Sequence, residues 1–213
     1  MSEDLRIMCM ALFQSFFSSL PWVCGLGLAL LAVLVFTLVS CQTPNQSVAR
    51  VAEYQNAVSS AKAASLTQGS EDELAAIARV KAFLSDLSPE NVAATTRDVY
   101  AEDAYFNDTL KTLRGVEEIE TYLIHTAKTV NSISVEFDDV ARSGQDYYFR
   151  WRMDFQAPKL SKGETIRTIG MTQIRFDTEG KVVLHQDFWD SSAGLFEHIP
   201  VTNQMINVVR KRL

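Results

Sequence analysis

Cysteine is absent from the chain beyond Cys41, and this absence limits the chemistry available to most of the protein. The three cysteines, Cys9, Cys24 and Cys41, all lie near the N-terminus. The residues that follow therefore cannot form an internal disulfide or a thiolate metal site. They are numerous enough to fold around a hydrophobic core without a covalent cross-link.

Charged residues of either sign are missing between Arg6 and Arg50. Within that gap, residues 22–40 read WVCGLGLALLAVLVFTLVS, an almost wholly apolar run. A helix of about 20 such residues is long enough to cross a bilayer core. We therefore exclude this segment from the folded domain and assign it to export or anchoring.

A strongly basic surface is also lacking. The formal net charge of the 213 residues is −6, and the basic residues are scattered along the chain. Proteins that bind nucleic acid need a concentrated basic patch to neutralise phosphates. We therefore expect no nucleic-acid partner, and the length suits one domain with an appendage.

The apolar run ends in Leu38-Val39-Ser40-Cys41, which resembles the bacterial lipobox, where a cysteine after a small residue is lipidated and becomes the new N-terminus. The resemblance implies a signal peptide over residues 1–41 and lipid attachment at Cys41. It also implies a membrane-anchored domain on the non-cytoplasmic side of the cell envelope. The alternative is an uncleaved transmembrane anchor, because Arg6 alone makes the start weakly basic.

Residues 42–69 are rich in Ala, Ser, Gln and Val, which predicts a tether between the membrane and a domain over residues 70–213. The domain opens with a capping box, in which Ser70 is followed three residues later by Glu73. This pattern predicts a helix that ends near Leu87. Two further helices are predicted, one that begins at Ser88-Pro89 and one over residues 116–130.

After Asn131 the apolar period changes from helical to alternating, which predicts strands. The predicted strands begin at Ile133 and then cover residues 147–155, 165–176 and 181–189. A helical tail follows from about Asn203. Helices that precede an antiparallel meander predict an α+β domain, with N-terminal helices packed on one face of a curved antiparallel sheet.

Four strings in this order resemble the nuclear transport factor 2-like superfamily, in its SnoaL-like and limonene epoxide hydrolase-like branches. They are YAEDAYFND from Tyr100, RGVEEI from Arg114, FDTEGKV from Phe176 and HQDFWD from His185. The resemblance implies a cone-shaped fold that encloses an apolar pocket and a homodimer formed through the sheet, and we expect no cofactor. The superfamily contains enzymes and non-enzymatic binding domains, so the fold does not decide the function.

The limonene epoxide hydrolases use an Asp-Arg-Asp arrangement with a tyrosine and an asparagine that hold the attacking water. By motif position, the matching residues are Arg152 and Asp154 on one strand, Asp187 on the last strand, and the pair Tyr105 and Asn107. The resemblance implies that one carboxylate takes a proton from water while the other protonates the leaving oxygen. Arg152 would bridge the two.

The same charged strand residues also fit a solvent-facing role. Strand alternation places Arg150, Arg152 and Asp154 on one face and a row of aromatic residues on the other. Charged side chains are rarely buried unless they are paired. Alternation alone does not decide which face looks inward.

Simpler roles are open for the other candidates as well. Tyr105 fits a core tyrosine, and Asn107 fits a turn asparagine. Asp187 shares its predicted face with His185 and Trp189, which favours a position in the pocket. His185 fits a structural polar residue better than a proton shuttle.

Two functions follow from these patterns. The first is a membrane-tethered domain that binds an apolar small molecule and acts on it by acid–base chemistry of the epoxide hydrolase or isomerase type. The second is a non-catalytic envelope lipoprotein that binds a lipid, a peptide or a partner protein. Whether the protein is an enzyme at all, and which molecule it binds, stay open at this point.

Overall fold

A computed structural model describes residues 46–161 and 163–212. The predicted signal peptide, residues 1–41, and Cys41 with it lie outside the described residues. None of the helices within the described ranges combines the length and the apolar character needed to cross a membrane. Tyr54–Leu213 forms one compact unit.

The described residues form helices, one 3₁₀ turn and six strands in an α+β arrangement, as predicted. The helices are α1 (Gln46–Ser60), α2 (Glu71–Ser85), α3 (Pro89–Val99), α4 (Val116–Ala127), α5 (Pro158–Ser161), α6 (Ser191–Gly194) and α7 (Pro200–Arg210), with the 3₁₀ turn at Phe196–His198. The strands are β1 (Tyr100–Asn107), β2 (Thr112–Arg114), β3 (Ser132–Ser143), β4 (Asp146–Gln156), β5 (Thr165–Phe176) and β6 (Val182–Trp189).

The predicted helix starts at Ser70 and Ser88 are both present. The Ser70 hydroxyl accepts the backbone N–H of Glu73 at 3.2 Å, and the Ser88 hydroxyl accepts that of Asn91 at 3.3 Å. Each bond satisfies one of the free N–H groups at a helix start. Pro89 occupies the first turn of α3, where a missing N–H costs nothing.

The strands form a curved sheet in the order β2-β1-β6-β5-β4-β3. Strands β3 to β6 pair as the antiparallel meander that the alternation predicts, whereas β1 pairs with β6 in parallel. The short strand β2 and the parallel β1–β6 pairing were not predicted. The parallel pairing joins segments about 80 residues apart, which no local pattern reports, whereas β2 pairs with the end of β1 across a short turn.

One face of the sheet, called the inner face here, packs against α2, α3 and α4. Its core contains Phe83 from α2, Val92 from α3, Ile119 from α4 and Phe149 from β4. These side chains are 2% exposed or less. The inner face therefore holds the main hydrophobic core, and the opposite or outer face is left to α1 and to solvent.

Part of the segment over residues 42–69, which is predicted to be a tether, belongs to the compact unit that begins at Tyr54. Ala57 of α1 is 1% exposed and packs with Tyr105 and Leu184 on the outer face. The Tyr54 hydroxyl donates to the side-chain oxygen of Gln173 at 2.8 Å. Small residues let α1 approach the sheet closely, so a segment with little apolar bulk still packs against it.

Candidate active site on the inner face

The last strand, β6, carries the site's carboxylate. His185, Asp187 and Trp189 pair with Ile174, Thr172 and Gly170 of β5, so all three point to the inner face, as the alternation predicts. Their neighbours Gln186 and Phe188 point to the outer face. The side chain of Asp187 is 17% exposed, so it is shielded from bulk water but remains reachable.

His185 is held between a phenol and a carboxylate. Its Nδ1 lies 2.9 Å from the Tyr100 hydroxyl, and its Nε2 lies 3.0 Å from Asp187 Oδ1. An ionised Asp187 can only accept, so Nε2 carries the proton and donates, while Nδ1 accepts from Tyr100. Both ring nitrogens are therefore hydrogen-bonded, which suits a side chain only 2% exposed.

Tyr100 keeps its proton in this environment. Burial raises the pKa of its phenol well above the ordinary value, and the nearby negative charge of Asp187 raises that pKa further. The ring is fixed by edge contacts with Phe83 and Phe106, whose centroids lie 5.7 Å and 6.3 Å away. Tyr100 therefore acts as a permanent donor that orients His185 toward Asp187.

A second donor reaches the same carboxylate oxygen from β5. The Thr172 hydroxyl donates to Asp187 Oδ1 at 2.5 Å and accepts the indole N–H of Trp151 at 2.8 Å. The Trp151 ring reaches this position because Gly170 has no side chain, and a Cβ there would lie 2.4 Å from the ring. Within the described residues, both hydrogen bonds to the carboxylate end on Oδ1, and Oδ2 accepts none.

Tyr122 and the loop after β1 close one side of the site. The Tyr122 hydroxyl donates to Asp108 Oδ2, and the Trp189 indole N–H donates to the Asp108 backbone oxygen at 2.8 Å. Asp108 Oδ1 also accepts the backbone N–H groups of Leu110 and Lys111 at 2.9 Å and 2.7 Å. Both carboxylate oxygens of Asp108 therefore accept hydrogen bonds that hold its loop and Tyr122. Asp187 is the nearby carboxylate that can take part in a reaction.

The pKa of Tyr122 is raised by burial, by its bond to Asp108 and by the charge of Asp187. This phenol therefore also stays neutral near Asp187. With Phe106, which packs 4.6 Å from the His185 ring, and the indoles of Trp151 and Trp189, it makes the surroundings of Asp187 largely aromatic. An apolar wall around one carboxylate is typical of a small-molecule site.

The predicted partners Arg152 and Asp154 do not join Asp187. Arg152 pairs in register with Ile169 and Asp154 with Arg167, which places both on the outer face. Arg152 forms ion pairs with Glu136 and Asp138 at 3.1 Å. These residues therefore do not form the Asp-Arg-Asp arrangement, because the aromatic face of β4 is the one that packs against the helices.

A cleft of about 600 Å³ lies beside these outer charges. Its lining includes Glu136, Arg152, Asp154 and Arg167 and has no aromatic side chain among the described residues. The Arg167 side chain donates to Asp154 at 3.0 Å. These paired, exposed charges suit a solvated surface better than a pocket for an apolar ligand.

Tyr105 and Asn107 also lie on the outer face, where Tyr105 packs under α1. The Asn107 amide donates to the Tyr105 hydroxyl at 3.3 Å and to Thr112 at 2.8 Å. The Asn107 carbonyl accepts the backbone N–H of Thr109 at 2.7 Å, a turn contact. The pair is brought together as predicted, but on the side of the sheet away from Asp187.

Sequence analysis missed Tyr100, Thr172 and Tyr122 as parts of the site. Thr172 could have been found by continuing the alternation of β5 opposite Asp187. The other two come from the start of β1 and from α4, and their approach depends on how the helices pack on the sheet. Among the described residues, no group of three or more His, Cys, Asp or Glu side chains is placed to hold a metal ion.

Comparison with known proteins agrees with this architecture, since residues 80–185 match the SnoaL-like domain family. The protein carries a SnoaL-like domain. A protein described as a SnoaL-like polyketide cyclase, from Jannaschia sp. CCS1, has a similar structure, with a TM-score of 0.51 and 14% identity over 60% of this chain and 94% of that chain. No curated protein matches the sequence.

An LEH-like epoxide hydrolase from M. tuberculosis gives a TM-score of 0.49 and 18% identity, over 64% of this chain and 97% of that chain. At such identities the similarity of the SnoaL-like domain to solved structures concerns the fold alone. The nuclear transport factor 2-like cone, with helices against a curved sheet, is the fold that the sequence predicts.

Proposed function

We propose that the SnoaL-like domain binds an apolar small molecule on the inner face and catalyses a proton transfer of the isomerase type, with Asp187 as the general base. The observation that carries this proposal is the Asp187 carboxylate. Two donors hold its Oδ1, while Oδ2 accepts no hydrogen bond from the described residues. A carboxylate fixed in this way is oriented for one proton acceptor position.

The reaction that fits best removes a proton from a carbon next to a carbonyl group. The C–H bond breaks, its proton moves to Asp187 Oδ2, and the electron pair passes to the carbonyl as an enolate. The protonated Asp187 then returns the proton to the same or a neighbouring carbon. His185 and Thr172 hold the carboxylate through both steps, and the surrounding rings exclude water.

Epoxide hydration has less support. It requires a second acid to protonate the epoxide oxygen. The residues predicted to supply and hold that acid, Asp154 and Arg152, lie on the outer face. Asp108 does not replace them, because both of its carboxylate oxygens already hold its own loop and Tyr122. The inner face therefore supports a base without the acid–arginine partner that the epoxide reaction uses.

One experiment separates the two reaction classes. The full chain is incubated in D₂O with 2-tetralone, an aryl ketone with acidic α-protons, and exchange is followed by ¹H NMR. A parallel incubation measures hydrolysis of styrene oxide. We expect catalysed exchange of the ketone without hydrolysis of the epoxide; hydrolysis without exchange would reject the proposed reaction.

The non-catalytic alternative uses the same site on the inner face. Its support is the apolar wall, which suits a bound lipid or another apolar molecule whether or not a reaction follows. Saturable binding of 2-tetralone with no exchange of its α-protons would favour this alternative. The homodimer implied by the family resemblance stays a prediction, tested by the mass of the protein in solution.

We also propose that the protein is tethered to the membrane of the cell envelope through Cys41, with residues 1–41 as the signal peptide. Support comes from the apolar run at residues 22–40 and the small residue before the cysteine. Cys41→Ser is expected to leave an unprocessed precursor without acyl label when cells are grown with a radioactive fatty acid. Cys24→Ser is the matched control, since it removes a thiol without touching the lipobox.

Normal processing and labelling of Cys41→Ser would reject lipid attachment at this residue. A precursor that stays in the membrane without processing, in both the wild type and the variant, would instead identify residues 22–40 as a transmembrane anchor.

A further inference from the structure

Helix α7 exposes an apolar stripe. Val201, Met205, Val208 and Val209 are 69%, 65%, 51% and 57% exposed, and no residue of this helix is buried among those the structure describes. Their spacing of four, three and one places them on one side of an 11-residue helix. A surface helix ordinarily turns such a stripe toward the core, so here the usual orientation is reversed.

The side of α7 opposite the apolar stripe contacts the rest of the domain. Arg210 donates to Glu197 at 2.6 Å, and Ser192 of α6 donates to the same Glu197 oxygen at 3.1 Å. Thr202 and Ile206, which lie on the same side as Arg210, are partly buried. This side of α7 faces the body of the domain, and the apolar stripe on the opposite side points away from it.

The charge of this segment is opposite to that of the chain as a whole. Residues 200–212 contain Arg210, Lys211 and Arg212 and no acidic residue, whereas the full chain carries a formal net charge of −6. Lys211 and Arg212 are exposed and follow directly after the last helical residue, Arg210, at the end of the apolar stripe. An apolar stripe flanked by cations is the pattern of a helix that lies in a membrane interface.

We infer that α7 docks on a lipid bilayer that contains anionic lipids, with Val201, Met205, Val208 and Val209 inserted among the acyl chains. Lys211 and Arg212 then contact the negatively charged headgroups. Charge complementarity favours this occupant, because an anionic bilayer places negative headgroups directly beside the acyl chains that would take up the apolar stripe. The inference does not depend on the chemistry of Asp187.

The test is amide hydrogen–deuterium exchange of the full chain, followed by mass spectrometry, in the presence of lipid vesicles. Vesicles of phosphatidylcholine alone are compared with vesicles that also contain phosphatidylglycerol. Since peptides from α7 are read separately from the rest of the chain, attachment through the N-terminus does not mask the result. We expect amides of residues 203–212 to exchange at least about tenfold more slowly on the anionic vesicles.

Two variants separate the apolar and the ionic contributions. Met205→Ser with Val208→Ser removes apolar surface, and Lys211→Gln with Arg212→Gln removes charge. Each is expected to abolish the protection of α7 on anionic vesicles. The matched control is Leu74→Ser on α2, which also removes an exposed apolar side chain, 58% exposed, and is expected to leave the protection intact.

Three results would overturn the inference. Protection that is equal on neutral and anionic vesicles would exclude a role for the cations. Protection that appears without lipid and increases with protein concentration would identify a second copy of the chain as the occupant. Unchanged exchange of α7 under all conditions would show that the apolar stripe stays in water.

Discussion

Asp187→Asn is expected to lower the rate of ketone α-proton exchange by about 10²- to 10⁴-fold, the range that a positioned general base contributes. Asparagine has nearly the same shape, and its carbonyl oxygen can still accept the His185 N–H and the Thr172 hydroxyl. It has no basic oxygen to take a proton. The fold should therefore survive while the reaction is lost, as measured by exchange rate and by thermal unfolding of the same sample.

Asp154→Asn is the matched control for this prediction. It makes the same chemical change at a carboxylate on the outer face, where Asp154 contacts Arg167. We expect its exchange rate to stay within about twofold of the wild type, because it touches nothing near Asp187. A large loss in both variants would instead support the arrangement predicted from motif positions, and normal exchange in Asp187→Asn would reject Asp187 as the base.

Glu73→Gln is expected to lower the free energy of unfolding by about 3 kcal/mol, because it breaks a buried ion pair and leaves its partner uncompensated. The Glu73 side chain is 7% exposed and lies 2.5 Å from the Arg142 guanidinium. It also accepts the Tyr147 hydroxyl at 2.8 Å and the Gly69 backbone N–H at 2.6 Å. Urea denaturation followed by circular dichroism measures the loss.

The pH dependence of this loss has a definite sign. Burial acts to raise the pKa of Glu73, but the hydrogen bonds from Gly69 and Tyr147 and the charge of Arg142 outweigh it and lower the pKa below its ordinary value of 4.5. A lowered folded-state pKa contributes stability above about 4.5 that disappears as the pH falls through the folded-state value. The difference between wild type and Glu73→Gln should therefore shrink on acidification.

Asp139→Asn is the control for Glu73→Gln. Asp139 pairs with Arg150 on the outer face, where both side chains are about half exposed. Ion pairs of this kind contribute little to stability because water screens them. A loss in Asp139→Asn as large as that in Glu73→Gln would contradict the role assigned to the buried pair.

Local patterns were enough to predict the helices that start at Ser70 and Ser88 and the meander that ends at Trp189. Capping residues and the period of the apolar residues act within a few positions of the chain, so the sequence reports them directly. The alternation of β6 likewise predicted that His185, Asp187 and Trp189 share a face. In these cases the local chemistry and the final fold agree.

The choice of inner face could not be derived from β4 alone. Its two faces carry Arg152 and Asp154 on one side and Trp151 and Phe149 on the other, and only the packing of helices decides between them. The helices take the aromatic face because burying it releases water from a large apolar area, whereas burying the charges would cost several kcal/mol. Arg152 and Asp154, which match the epoxide hydrolase pattern by position, therefore lie on the outer face.

The role of α1 illustrates a second limit. Its sequence has few large apolar residues, so nothing in it predicted that Ala57 would be buried against Tyr105 and Leu184. Close approach of a helix to a sheet depends on small side chains, which leave no strong pattern. The same limit concealed Tyr100, whose contact with His185 joins residues 85 positions apart.

The central claim is that a small molecule binds on the inner face beside Asp187. The chain has three tryptophans, and two of them, Trp151 and Trp189, have indole groups on this face. The most direct measurement is a ¹H–¹⁵N NMR titration of the full chain with 2-naphthol, a stable mimic of the enol of 2-tetralone. We predict that both indole signals shift with one saturation curve and that 2-naphthol inhibits ketone exchange over the same concentrations. Saturable binding that leaves both indole signals unmoved would contradict the account.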